Sequence, residues 1–169
     1  LYGYDNIVSR LPLGAVQQGR TSERQDFVDL MRGTLAALGM TEELSFIFTS
    51  DRTLDKLGVP ADSELRQAIP IMNPLTDEYP LIRTTLLTSM LENAARNVAR
   101  KNMDLRLFDI APVFFPKALP VTELADEKLM VAGLITGRRS PIAWDTDNAQ
   151  VDFYDIKGIL ERFLSAIGV

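Results

Sequence analysis

A chain with neither histidine nor cysteine has few chemistries open to it. Thiol and Ser-His-Asp nucleophiles, disulfides and the common zinc sites all need one of those residues, so they are excluded. Any site must be built from carboxylates, Lys/Arg, hydroxyls and backbone amides. Arg83 and Asp109 stand out, because both fall in expected strands, where a core-facing charge is costly unless paired. They read either as a structural ion pair or as the relic of a ligand site. Arg96, Arg100, Lys101 and Arg106 form a basic cluster. That cluster suits RNA phosphates, or simply a solvated helix end where cations meet the negative end of the helix dipole. Arg138-Arg139 carries the same two readings in a loop. Asp145-Thr146-Asp147-Asn148 opens like a calcium loop but fails at Ala149 and Gln150, where a ligand and the turn glycine would stand. It is expected to be a solvated acidic loop, with the single tryptophan, Trp144, packed at its base. Neither common glycine-rich nucleotide loop is present.

The formal charge of −5 opposes a broad nucleic-acid surface, which needs a Lys/Arg excess on some face. With 169 residues, 46% hydrophobic and 24% charged, the chain can bury an ordinary single-domain core. No apolar run approaches the ~20 residues of a membrane span, so no membrane partner is expected. The lack of cysteine fits a cytoplasmic setting. Leu1-Tyr2-Gly3-Tyr4-Asp5 offers no basic and apolar leader and no initiator methionine, so the chain is expected to be an internal piece of a longer polypeptide.

The elements that would position these residues follow from periodicity. Residues 1–20, punctuated by Pro12, Gly14 and Gly19, are expected to be an irregular lead-in after a preceding domain, and residues 21–169 a single domain. Ser22 and Gln25 predict a capping box. The helix they open carries Phe27, Leu30, Met31, Leu35 and Leu38 on one face and stops at Gly39. Alternation of Leu44, Phe46 and Phe48 predicts a strand, followed by a short helix to Leu57. Strands are expected over 67–72 and 81–84, with a turn forced at Asn73-Pro74. A second long helix is expected over 85–102, with Leu87, Met90, Leu91, Ala94, Ala95 and Val98 inward and Glu92 pairing with Arg96. Asp104–Phe115 reads as a long strand in which Pro112 marks a bulge or an edge. Lys128–Thr136, apolar on both faces, reads as a central strand. A last helix starts near Asp152. Strands joined by short links without βαβ alternation predict an α+β domain, an antiparallel sheet flanked by helices.

Several segments together resemble the phenylalanyl-tRNA synthetase β-chain family. They are Leu1–Ile7 (LYGYDNI), Asn73-Pro74-Leu75-Thr76, Leu81–Leu87 (LIRTTLL), Leu105–Ile110 (LRLFDI) and Tyr154–Gly158 (YDIKG), in this order over nearly the whole chain. The resemblance implies a class II synthetase-like core that continues past Val169. It makes residues 23–39 similar in position to the class's first motif, a dimer-interface element, so Phe27, Leu30, Met31, Leu35 and Leu38 become interface candidates. It makes residues 81–116 similar to the second motif, whose arginine grips the ATP α-phosphate in catalytic members. Phe115 and Pro116 stand where that arginine would be. The third motif has no counterpart. The resemblance therefore implies no catalytic, cofactor or metal residue here. ATP and magnesium serve the whole enzyme, the catalytic α subunit of an α2β2 assembly charges the tRNA, and this piece supports it with little direct tRNA contact. A stand-alone amino-acid or nucleotide binding module, with a vestigial pocket at Arg83, Asp109 and Phe115, is the alternative.

Overall fold

The computed structural model describes residues 3–11, 13–14, 19–118 and 120–169. Leu1, Tyr2 and Pro12, named above, lie outside them. The lead-in holds one 3-10 turn, Tyr4–Asn6, and is otherwise irregular where described.

The first helix, α1 (Glu23–Ala37), starts as expected. The Gln25 N–H donates to the Ser22 hydroxyl at 3.2 Å. Only half of the capping box forms, because the Gln25 amide turns away to Asp29. Gly39, at φ +82, ends the helix in the left-handed region that glycine enters freely. Strand β1 (Thr41–Glu42) follows, and the Arg32 guanidinium grips Glu42 at 2.7 and 2.9 Å, tying α1 to it.

The long strand β5 (Leu105–Phe115) organises the sheet. It pairs antiparallel with β6 (Asp126–Thr136) along its full length and parallel with β1. The order is β1-β5-β6, so the expected antiparallel sheet has one parallel edge. Pro112 sits opposite Leu129 with the register unbroken, so it makes no bulge. Its carbonyl accepts from Arg83, and the Phe114 N–H donates to the Arg83 carbonyl. The strand edge on which proline lacks a donor is thus the one β6 does not use. A second small sheet, β2 (Phe48–Thr49), β4 (Leu81–Ile82) and β3 (Ile69–Pro70) in that order, leans on this free edge through Arg83. Between β2 and β3 runs the short helix α2 (Asp51–Lys56).

On one face of β5, Phe108 and Ile110 meet Met31, Leu35 and Met40, together with Phe163 of α4 (Phe153–Ile167). On the other, Leu105 and Leu107 meet Ala94 of α3 (Leu87–Ala99). Helix α4 opens on a complete capping box between Asp152 and Asp155.

Several expectations are corrected. Among the described residues strand β6 is an edge, not a centre, and Leu129, Met130 and Val131 remain exposed; apolarity on both faces records what a strand could bury, not what covers it. The strand expected from Leu44 shrinks to Phe48–Thr49, leaving Leu44 and Phe46 exposed in a loop. Strands expected over 67–72 and 81–84 shorten to Ile69–Pro70 and Leu81–Ile82. Helix α3 is shorter than 85–102, and Leu87, Leu91 and Ala95 lie outside its buried stripe. Trp144 is 97% exposed instead of packed at the base of its loop.

Candidate functional site

Strand β4 delivers Arg83 and strand β5 delivers Asp109 to the same interior point, 3% and 2% exposed. Their closest approach is 3.9 Å, long for a hydrogen bond. Ser45 bridges the gap. Its hydroxyl accepts from Arg83 Nη1 at 2.7 Å and donates to Asp109 Oδ2 in a short contact. Nε donates to the Pro112 carbonyl at 3.0 Å, and Nη1 also donates to the Phe46 carbonyl at 3.3 Å. Burial pushes the Arg83 guanidinium below its ordinary value, and the Asp109 charge opposes that. Among the described residues its hydrogen-bond acceptors are Ser45, Phe46 and Pro112, with Asp109 as its ion-pair neighbour.

Glu43 lies beside this network and was not visible from sequence. It follows β1, donates its backbone N–H to the Phe108 carbonyl, and is 6% exposed. Asn93 Nδ2 of α3 donates to Glu43 Oε2 at 2.5 Å, while Oε1 has no partner among the described residues. Burial pushes this carboxyl up; Asn93 pulls it down, Asp109 adds to the rise and Arg96 opposes it. A glutamate after a two-residue strand carries no pattern that announces burial, which is why periodicity missed it.

Above these groups opens a cavity of about 440 Å³, lined by the 44–48 segment, the 75–79 loop and α3. Leu44, Phe46, Phe48 and Leu75 give it apolar walls. Arg96, Glu92, Glu78, Tyr79 and Asn93 give it charge and polarity. Ser45 is the only member of the buried bridge that reaches the lining among described residues. Phe115 does not join Arg83 and Asp109 there. It lies at the far end of β5, partly buried, with Lys128 Nζ 5.0 Å from its ring centre.

The basic cluster disperses. Arg96 faces the cavity, Lys101 holds a left-handed turn after α3 at φ +68, and Arg106 donates to the Arg139 carbonyl at 2.6 Å. Arg138 and Arg139 are clamped too, to Asp104 at 2.6 Å and to Asp155 and Asp152 at 2.9 and 3.3 Å. These clamps hold the Asp104 and Asp155 carboxyls below the usual range, mainly through the hydrogen bonds from Arg138 and Arg139. In the acidic loop, Asp147 accepts from the Ala149 N–H.

The model of the phenylalanyl tRNA synthetase beta chain CLM domain family matches residues 7–169. The chain belongs to that family. It is 36% identical over 169 residues to the phenylalanine–tRNA ligase β subunit of Geobacter sulfurreducens and 33% identical to that of Moorella thermoacetica. All of this chain is covered, against 21% and 20% of those subunits, so it spans about a fifth of the length of the curated relatives it matches. Two solved pyrrolysyl-tRNA synthetase structures from Desulfitobacterium hafniense share its fold, with TM-scores of 0.59 and 0.61 at 15% and 13% identity. They cover 87% and 85% of this chain and 46% and 47% of their own. The fold is thus the α+β core of the class II synthetases.

Within that fold, the groups present do not suit ATP. A triphosphate needs cations or free amides gathered at one place. Arg83 turns Nε and Nη1 to protein acceptors, the end of β5 offers Phe115 and Pro116, and the cavity sets Arg96 against two carboxylates.

Proposed function

We propose that this chain is a non-catalytic scaffold within the β subunit of a phenylalanine–tRNA ligase, holding the catalytic α subunit that charges tRNA with phenylalanine at the expense of ATP. Its setting is cytoplasmic and its assembly α2β2. The observation that carries this reading is the fate of the arginine chemistry. The buried Arg83 is closed off by Ser45, Asp109 and two carbonyls, and the strand end suited to a phosphate-gripping arginine carries Phe115. A fold that shares the synthetase core but, among its described residues, gathers no cluster of cations to stabilise phosphoryl transfer keeps its shape without the reaction.

The surface for the partner is the outer half of α1. Phe27 and Leu30 are 44% and 48% exposed, while Met31 and Leu35 belong to the chain's own core. Leu38 is half-buried against that core. Only Phe27 and Leu30, of the five candidates on this helix, are free enough to contribute area to a partner. Scattered cations and a net charge of −5 support little direct tRNA contact here. The test is pyrophosphate exchange with phenylalanine and ATP. The chain alone is expected to show background only, and turnover abolished by mutation of its own residues would overturn the scaffold reading.

A further inference from the structure

The loop between β6 and α4 is closed at its foot and carries apolar side chains outward. Arg138 bridges Gln150, the Arg139 N–H donates to the Ala149 carbonyl at 2.9 Å, and the Val151 N–H donates to the Gly137 carbonyl at 2.9 Å. The clamps from Arg138 to Asp104 and from Arg139 to Asp152 and Asp155 fix this foot to the starts of β5 and α4. At the tip, the Thr146 hydroxyl accepts from the Ala143 N–H at 3.0 Å and lies 3.1 Å from the Pro141 carbonyl. Trp144 and Asp145 are the two central residues of the turn this makes. A loop held at both ends presents its side chains at little ordering cost.

Ile142 and Trp144 stand at the tip, 73% and 97% exposed, and Phe153 and Tyr154 at the foot, 69% and 75% exposed. A single bare apolar residue needs no explanation, but one loop and helix start with three bare aromatic rings has the make-up of an interface. The charge here has one sign. From Ser140 to Tyr154 the charged residues are Asp145, Asp147 and Asp152, with no lysine or arginine. Asp152 caps α4 and meets Arg139, whereas Asp145 has no hydrogen bond or ion pair among the described residues.

We infer that the tip of this loop docks into another domain of the same β-subunit polypeptide, in an apolar socket rimmed by lysine or arginine. Trp144 enters the socket, Ile142 covers its wall and Asp145 meets the rim. Size argues for a tethered partner. At roughly 200 Å² for each buried aromatic side chain, the four apolar groups offer no more than about 700 Å². A freely diffusing partner buries about 800 Å² on each side, while contacts between tethered domains hold with about 600–1,500 Å² in all. The chain spans about a fifth of the length of its curated relatives, so a subunit of this family has other polypeptide to supply the socket. A tether that gives an effective concentration of about 1 mM keeps a site of about 0.1 mM affinity closed about ten to one. RNA is disfavoured, because these acids repel phosphates. An anionic lipid surface is disfavoured for the same reason. A two-fold contact between copies through this tip sets Asp145 against its own equivalent. The inference rests on the chain's place in a longer β subunit and not on the scaffold role, which pyrophosphate exchange tests separately.

Hydroxyl-radical footprinting of Trp144, the chain's single tryptophan, tests it by peptide mass spectrometry. The isolated chain is compared with the assembled ligase, without tRNA. Trp144 is expected to oxidise about tenfold more slowly in the ligase, the ratio set by docking. Carbodiimide, which joins a carboxylate directly to an amine, is expected to link Asp145 or Asp147 to a lysine elsewhere in the β polypeptide. Asp145→Lys removes no hydrogen bond, so circular dichroism of the isolated chain should be unchanged, while in the ligase it raises Trp144 oxidation at least about threefold by opposing a basic rim. Equal oxidation of Trp144 in the isolated chain and the ligase overturns the inference. So does a carbodiimide link from this loop to the α subunit, or an Asp145→Lys ligase in which Trp144 stays as protected as in the parent.

Discussion

Ser45 connects two charges that do not reach each other. With Arg83 and Asp109 separated by 3.9 Å and both buried, the hydroxyl completes the ion pair and pins the 44–48 segment to β5. Ser45→Ala leaves a buried guanidinium and carboxylate each short of a partner, at an expected cost of about 1–3 kcal/mol in urea unfolding. Arg83→Ala leaves Asp109 uncompensated and is expected to cost more, about 3–5 kcal/mol. Equal losses for the two variants would mean that Ser45, and not the ion pair, carries the effect. Glu43 makes a separate prediction. Its folded pKa is raised, so the folded state binds the proton more tightly than the unfolded state. Its favourable contribution is complete below the ordinary glutamate pKa and is lost as pH rises through the raised folded value. Glu43→Gln removes that loss. The stability of the variant relative to the parent is therefore expected to increase as pH rises above the ordinary glutamate range, about pH 4. A constant difference across that range would show that Glu43 does not titrate with folding.

Two glycines show how differently one substitution acts within this set of elements. Gly33 lies in α1 with no atom near the position of a Cβ. Gly33→Ala lowers the entropy of the unfolded chain without strain, and is expected to stabilise by about 0.5–1 kcal/mol. Gly137 follows β6 at φ +84, and a Cβ there would meet the Met103 carbonyl at 2.5 Å and the Asp104 backbone at 2.7 Å. Gly137→Ala is expected to cost at least about 1–3 kcal/mol. It should also loosen Arg138 from Asp104, which thermal unfolding with and without salt would reveal. The same elements explain which strand readings held. Residues 105–115 form one long strand because Leu105, Leu107, Phe108 and Ile110 have helices to meet on both faces. Residues 44–47 alternate just as well, but leave the ladder after β1, where the Phe46 carbonyl turns to Arg83 instead of to a neighbouring strand.

At the level of the whole molecule, the exposed half of α1 gives a clean test of association. Phe27→Asp and Leu30→Asp lie outside the core, so stability is expected to change by less than about 0.5 kcal/mol while co-purification with the α subunit falls. Leu35→Asp buries a charge among Met31, Phe108 and Phe163, and is expected to unfold the chain. Undiminished co-purification of the first two variants would move the interface elsewhere. The sequence by itself determined much of this protein. The lack of histidine and cysteine fixed which chemistries are closed, helical periodicity located α1, α3 and α4, and the ordered segments from Leu1 to Gly158 carried the family. Those features are local, written in residue type and spacing. Tertiary structure alone decided which side of each element is used. It split one apolar stripe on α1 between core and surface, made an apolar strand an edge, and buried Glu43 beside Asp109. It joined Arg83 to Asp109 through Ser45 and turned Glu92 to Thr53 and Tyr79 instead of to Arg96. Each of these outcomes depends on residues tens of positions away along the chain, and periodicity within one segment contains no record of them.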